Sequence, residues 1–435
     1  LRSVLINPLS VIVFVFVAIG FTWTLWMKPA PTSDYYAYFK LASGLLDHHQ
    51  FGYPMPTARR LPGYPTLLAL PMLISRSYVW LGLFNVLLCA ALLPLVHRLT
   101  FSLSMGSKWT ALLAATLCAL NPTFVFFSPV LATEHLFVLL FFSSLVVLFS
   151  RRLGSKTTAV FAGLLLGLAV LTRGEAAFYL PVVLFVAWTT SNGRARQKAT
   201  RTALVIAVSV AAVLPWAVRN WVVIGPGAGM STVAGENFYF GHNPDLYGDH
   251  ALSVDGLDSP NEADRQRVWF RRGWTNIADD PSSLLRDIRT GTYELFVSPG
   301  GYALWAAMVS STPGNHRRFI QKREHPWGTK RLLFEFYRVI ALLSALGILI
   351  VTRIGRVGSF VLYGVLLMNW VCYAVVFWSK PRYRYTAEVV MCILAAFVLW
   401  NMWVAVTDQL PRRRRARREM GMNGEDRSQV PETPQ

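Results

Sequence analysis

Apolar runs of helical length decide what this chain can fold into. Ten can be placed as spans: Pro8–Met27, Tyr78–His97, Trp109–Phe127, His135–Ser150, Thr157–Thr172, Ala176–Thr190, Thr202–Trp221, Leu332–Val351, Gly358–Trp378 and Tyr385–Val406. A helix needs about 20 mostly apolar residues to cross the hydrocarbon core of a bilayer. The composition agrees: 54% of residues are hydrophobic and 15% charged, against about 25% charged in ordinary soluble chains. The expected fold is an all-α, multi-pass transmembrane helical bundle of about ten spans, with short interfacial helices in the outer loops.

The basic residues orient the bundle. With the N-terminus in the cytoplasm, the short inner loops carry Arg98 and Lys108, then Arg151, Arg152 and Lys156, then Arg194, Arg196, Lys198 and Arg201, then Arg353 and Arg356. The last span runs inward to Arg412–Arg418, six arginines around Ala416. All these clusters fall on one side, as positive-inside topology requires, while the outer loop at Glu134 has no Lys or Arg. The formal charge of +19 would suggest nucleic acid in a soluble protein. Here its loop and tail placement fits anionic headgroups instead, so no nucleic-acid partner is expected.

Two units are expected: a transmembrane domain over 1–406, including outer loops 28–76 and 222–330, and a polybasic, disordered cytoplasmic tail over 407–435. The first span reads as an uncleaved signal anchor. In the first outer loop Asp34–Asp47 reads as an amphipathic helix with Tyr35, Phe39, Leu41, Leu45 and Leu46 toward lipid. Pro62–Ile74 reads as a second short helix. In the second loop Arg265–Ile277 and Ser282–Phe296 read as helices, and Tyr293–Ser311 as a re-entrant or interfacial segment broken at Pro299. Cys89, Cys118, Cys372 and Cys392 lie inside apolar runs without CxxC spacing and read as packing residues.

Polar residues gather at the outer ends of the spans. Asp34 follows the first span, and Arg59 and Arg60 precede the second. Glu134 and His135 open the fourth. Arg173 and Glu175 share a tight turn, Arg219 and Asn220 end the seventh, and Lys380, Arg382, Tyr383 and Arg384 precede the last. Taken singly, each has a plain role: a snorkelling cation, an acid favoured at a helix N-terminus, or a local ion pair. Taken together, acids and cations on one face of a bundle can line a cavity, where ionisable groups are costly and tend to be functional. Guanidinium forks suit phosphate oxygens. If phosphate is also the leaving group, the same cations stabilise the charge that develops as its bond breaks. A carboxylate that takes the proton of an attacking hydroxyl completes the chemistry. Displacing a lipid phosphate from a sugar carbon is glycosyl transfer.

Several pieces carry a family resemblance: Asp34-Tyr-Tyr-Ala-Tyr38, Arg60-Leu-Pro-Gly-Tyr-Pro65, Asn121-Pro122 with Ala132-Thr-Glu-His135, Gly163 to Arg173, Pro215-Trp-Ala-Val-Arg-Asn220, Gly235-Glu-Asn237 with Gly241-His-Asn-Pro244, and Arg382-Tyr-Arg384. In this order the chain resembles the GT-C superfamily of polyprenyl-phosphate-sugar glycosyltransferases, from about Pro8 to Val406. The nearest branch looks like the bacterial relatives of protein O-mannosyltransferases and the lipid A aminoarabinose transferase. It departs from them where Tyr35, rather than a second acid, follows Asp34, and where Arg60-Leu-Pro replaces a phosphate-holding Lys before Pro-Pro.

The resemblance implies inverting transfer on the outer face of the cell membrane, from a monosaccharide on polyprenyl phosphate to a hydroxyl of a lipid, glycan or protein acceptor. Asp34 would be the catalytic base and Glu134 the second acid. Arg59, Arg60, Arg173, Arg219, Arg382 and Arg384 would hold the donor phosphate. Tyr35, Tyr64, His135, Glu175, Asn220, Asn237 and Tyr383 would line the substrate site. No metal ligand set is expected, since His242, His250, His316 and His325 are isolated. A divalent cation, Mg or Mn, bridging carboxylate and phosphate is the one cofactor left open. Two other readings compete: a lipid or small-solute transporter or flippase, and a polysaccharide ligase using a lipid-diphosphate donor. Arg265, Arg267, Arg271, Arg272, His316, Arg317 and Arg318 in the second outer loop keep the ligase open.

Overall fold

A computed structural model describes residues 7–31, 33–150, 154–243, 261–298, 327–347 and 355–425, and these residues form helices and turns with no named strand. The first long helix, α1 (Pro8–Met27), starts on Asn7, whose side chain accepts from the Leu9 amide at 3.1 Å, with Pro8 in the first turn. Its buried residues are Phe16, Gly20, Thr24 and Met27. That spacing draws one stripe along a helix. A Cβ on Gly20 would come within 2.6 Å of Val86, so the glycine sets how closely α1 meets its neighbour.

Next come α2 (Ser33–His48), α3 (Gly63–Met72), α4 (Tyr78–Ala90) and α5 (Leu92–Leu103). They are followed by α6 (Lys108–Leu120), the single-turn α7 (Pro122–Phe127), α8 (Thr133–Phe149) and α9 (Ser155–Thr172). A 3-10 turn, Gly174–Tyr179, leads into α10 (Leu180–Thr189) and the long α11 (Ala195–Val223). The second outer segment holds α12 (Ala234–Gly241), α13 (Glu262–Asp279) and α14 (Ser283–Phe296). The chain ends with α15 (Trp327–Gly347), α16 (Arg356–Trp370) running into a π-turn Val371–Val376, a 3-10 turn Pro381–Arg384, and α17 (Tyr385–Glu425).

A helix stands at each of the ten expected spans. Among the described residues six helices are long and apolar enough to cross a membrane, and Lys108–Leu120, Thr133–Phe149 and Gly174–Thr189 are shorter apolar helices. The chain is thus an all-helical membrane protein, with six spans supported by length and composition. α17 is the axis of the bundle: every residue from Tyr385 to Val398 is buried, and helices apolar all round belong in such a place. Its backbone stays helical through the arginine run to Glu425, a segment that reads in the sequence as a disordered tail. Arg, Ala, Glu and Met are strong helix formers, so the helix carries on past the apolar stretch.

Small residues set how closely α9 and α11 pack. A Cβ on Gly163 would lie 2.7 Å from the Val205 carbonyl oxygen, and one on Gly167 would lie 2.7 Å from Ala212 Cβ. This Gly-xxx-Gly stripe lets α9 and α11 touch backbone to backbone, and the Ser209 hydroxyl donates to the Gly163 carbonyl at 2.9 Å.

The α2 helix forms where the sequence predicts it, but its faces differ. Tyr35 and Leu41 are buried against the bundle, whereas Tyr36 is exposed. The helix lies over α3 and the 50–56 turn, so those residues pack on protein instead of lipid. The re-entrant expectation for Tyr293–Ser311 falls largely outside the described residues. The two outer segments are joined by Glu262, which accepts from the Thr57 hydroxyl at 2.5 Å, the Ala58 amide at 2.9 Å and the Thr232 hydroxyl at 2.9 Å.

Candidate active site

At one end of the bundle, α2 carries Asp34 in its first turn, the turn before α3 carries Arg60, and the turn before α17 carries Arg382. The Asp34 carboxylate sits between the two cations: one oxygen accepts from Arg60, the other from Arg382 at 3.0 Å. Burial works against the charge on Asp34. Arg60 and Arg382 more than offset it and hold the carboxyl below the usual Asp range. Arg382 also donates to the Tyr383 hydroxyl at 3.0 Å and lies over that ring, 4.8 Å from its centroid. Arg60 Nε is buried with no hydrogen-bond partner among the described residues.

A second cluster stands beside the first, built on the turn after α9. Arg173 reaches Glu134 at 2.7 Å and Glu175 at 3.0 Å, and donates to the Thr133 hydroxyl at 3.0 Å and the Tyr373 hydroxyl at 2.9 Å. The acid from the start of α8 and the acid from the 3-10 turn thus share one guanidinium. Tyr383 joins the two clusters. Its ring stacks on Tyr373 at 4.5 Å with planes 9° apart, and Arg173 lies 5.6 Å from its centroid. Tyr38, one turn along α2 from Asp34, is under the influence of Asp34, Arg60, Glu134 and Arg173 together, and its burial raises its pKa.

No family model matches the chain, and no curated protein matches its sequence. Solved structures do match in shape. The apo oligosaccharyltransferase of Archaeoglobus fulgidus aligns over 94% of this chain with a TM-score of 0.53 at 14% identity. The oligosaccharyltransferase AglB from Archaeoglobus fulgidus, in complex with an inhibitory peptide and a dolichol-phosphate, aligns over 98% of this chain with a TM-score of 0.52 at 13% identity. The fold is GT-C-like. The chain spans about half the length of these enzymes, 52% of each. ArnT from Cupriavidus metallidurans aligns over 89% of this chain and 76% of its own at 13% identity, with a TM-score of 0.40 that carries no weight. The GT-C resemblance read from the sequence is therefore met at the level of fold.

Within this GT-C-like bundle, Asp34, Arg60, Arg173, Glu134, Glu175, Arg382 and Tyr383 come together. Other expected site residues stand elsewhere. Arg219 donates to the Thr57 carbonyl at 2.8 Å and the Phe51 carbonyl at 3.1 Å, and Asn220 donates to the Gly229 and Met230 carbonyls at 3.0 and 3.2 Å, so both tie down loops. Arg59 pairs with Glu236 at 2.8 Å on the surface. Arg384 is buried, donating to Glu388 at 2.8 Å and to the Ser298 carbonyl at 2.8 Å, with the Tyr337 ring 3.6 Å away. His135 is held inside, one ring nitrogen 3.0 Å from the Tyr385 hydroxyl and the other 3.1 Å from the Phe127 carbonyl. Tyr64 donates to Asn85 at 2.9 Å, and the Tyr35 ring packs edge-on to Phe127. The Asn237 carbonyl accepts from the Trp378 amide at 3.1 Å.

Sequence reasoning quoted Tyr38 and Thr133 within motifs but gave them no site role, and it passed over Tyr373 and Glu388. Glu388 carried a signal, since an acid four residues after Arg384 is a helical pair. Tyr373 carried none, because its role depends on stacking across elements.

Among the described residues no three His, Cys, Asp or Glu side chains stand together as a metal ligand set. The three site carboxylates each face a guanidinium, so as they stand the donor groups do not fit a divalent cation. The A. fulgidus enzyme has been solved with Zn and sulfate. Here arginines hold both oxygens of Asp34 and one oxygen each of Glu134 and Glu175.

Proposed function

We propose that this protein is an integral-membrane glycosyltransferase that moves a sugar from a polyprenyl-phosphate donor to a hydroxyl acceptor on the extracytoplasmic face, with inversion. The observation that carries the reading is Asp34 clasped between Arg60 and Arg382 at one end of a GT-C-like bundle. A dolichol-phosphate and peptides bound to an archaeal oligosaccharyltransferase of this fold support a lipid phosphate on the donor side and keep a peptide among the candidate acceptors.

The acceptor oxygen attacks the anomeric carbon opposite the phosphate. The bond from that carbon to the phosphate oxygen breaks, and its electron pair leaves with the lipid phosphate. The acceptor proton passes to Asp34. A carboxylate held by two guanidiniums is a weak base. A donor phosphate that draws Arg60 and Arg382 to itself loosens that hold and raises the basicity of Asp34 where it is needed. The same guanidiniums then meet the charge that grows on the leaving phosphate. Glu134 and Glu175, both on Arg173, keep that third cation in place and lower the net charge around it.

The test is transfer from a panel of radiolabelled polyprenyl-phosphate sugars in proteoliposomes. Transfer by wild type that is lost in Asp34→Asn supports the reading. If no donor is consumed and the lipid instead equilibrates between leaflets, the protein is a flippase and the reading fails.

A further inference from the structure

Lys380 belongs to no ion pair among the described residues, although it stands near Asp34 and Arg382 of the first cluster. Its ammonium lies over the Trp378 ring, 3.6 Å from the centroid. That ring is itself fixed: the Trp378 amide donates to the Asn237 carbonyl at 3.1 Å, and the ring packs edge-on to Phe240 at 5.3 Å. Ser379 is buried, and Pro381 follows directly, so the backbone that presents the lysine is held on both sides. An aromatic face attracts a cation from one direction only and takes none of its hydrogen bonds to an acceptor. The three other cations of the cluster differ in this respect: Arg60 and Arg382 hold Asp34, and Arg173 holds Glu134 and Glu175.

Resting on the glycosyltransferase reading, we infer that Lys380 is the cation that first takes the phosphate of the lipid donor, as a phosphate-binding residue that leaves the arginine clasp on Asp34 intact until the donor is seated. Charge supports a phosphodiester as the ligand. Asp34, Glu134 and Glu175 are in contact with Arg60, Arg173 and Arg382, which leaves Lys380 as the cation of the cluster with no carboxylate in contact, while Asp34 and Glu294 act on it from beyond ion-pair distance. A sugar phosphodiester carries one negative charge and a diphosphate diester two.

The ammonium is also poised to titrate. Burial, and then the neighbouring Arg382, bring it down to about 8, against the pull of Asp34 and Glu294. It is therefore charged below that pH and neutral above it. Those three groups are the charges that face it.

The experiment is binding of a radiolabelled farnesyl-phosphate sugar and a farnesyl-diphosphate sugar, diesters with one and two negative charges, to purified protein in detergent, from pH 7 to 9.5, alongside the transfer assay. Esterified on both sides, these ligands lack the second ionisation that a phosphate monoester has near pH 6, so they do not titrate across this range. Wild type is expected to bind the monophosphate and to lose affinity through about pH 8. Lys380→Gln is expected to weaken binding by about tenfold to a hundredfold, the worth of a hydrogen bond to a charged group, and to raise KM for donor more than it lowers kcat. Lys380→Arg is expected to restore binding and to make it independent of pH. A thermal melt of each variant checks that it is folded. Binding that is equal in wild type and Lys380→Gln, or an inflection that survives in Lys380→Arg, overturns the role of Lys380 and leaves the glycosyltransferase reading standing. Preference for the diphosphate overturns the charge argument. No binding of either lipid by wild type overturns both.

Discussion

Asp34→Asn keeps the size of the side chain and removes its charge, so it separates chemistry from packing. Loss of a general base costs about 10²- to 10⁴-fold in rate. The variant is expected to lose transfer by that margin while still binding lipid phosphate, measured as kcat and lipid binding on the same preparation. The depressed pKa of Asp34 has a stability consequence with a fixed sign. A carboxyl with a lowered folded pKa stabilises fully above its unfolded value and loses that contribution as pH falls through the folded value. The gap in Tm between wild type and Asp34→Asn is therefore expected to close as pH drops below about 4, where an unperturbed Asp titrates. Arg384 makes a contrasting case. It and Glu388 are both almost fully buried, and the Glu388 carboxylate also accepts from Asn121 at 3.0 Å. Arg384→Met strands a buried carboxylate, and breaking such a pair costs about 3–5 kcal/mol. The expected readout is a clear fall in Tm, whereas Arg76→Met, at its exposed pair with Asp47, is expected to leave Tm nearly unchanged.

Between elements, the contact of α9 with α11 is the most exacting. Gly163→Val puts a branched side chain against the Val205 backbone, which cannot yield as a flexible side-chain end can. Overpacking of this kind costs about 1–3 kcal/mol, so a lower Tm in detergent is expected, with Ala162→Gly as a milder comparison. The outer elements depend on a polar joint instead. Glu262→Ala removes the acceptor for Thr57, Ala58 and Thr232 together. Limited proteolysis of this variant is expected to speed cleavage within residues 51–59 while the bundle stays intact. α13 and α14 were legible as helices from local pattern, whereas α12 was not. That one glutamate in α13 fastens the loop ahead of Arg60 was not, because the partners lie about two hundred residues apart.

For the molecule as a whole, the positive-inside argument predicts which ends of the helices face which compartment. All four cysteines are buried, so labelling of the parent protein is expected to be low. Ala195→Cys, at the start of α11, and Ala278→Cys, near the end of α13, are both exposed positions. A membrane-impermeant maleimide applied to intact cells is expected to label Ala278→Cys and to spare Ala195→Cys until the membrane is opened. The reverse pattern would turn the bundle over and remove the candidate site from the extracytoplasmic face.

The sequence by itself determined the helical membrane architecture, because burying backbone in lipid demands helices and the apolar runs write them out one by one. It also marked the polar residues at the span ends, since charge is rare and costly there. It could not sort them. Arg60, Arg219, Arg382 and Arg384 look alike as arginines beside apolar runs, yet two clasp Asp34, one staples a loop through backbone carbonyls and one is sealed inside with Glu388. Which role each takes depends on contacts between elements far apart in the chain, such as Asp34 with Arg382, and no local pattern encodes those. Only the tertiary structure decided that two arginine–carboxylate clusters would meet across the Tyr373–Tyr383 stack.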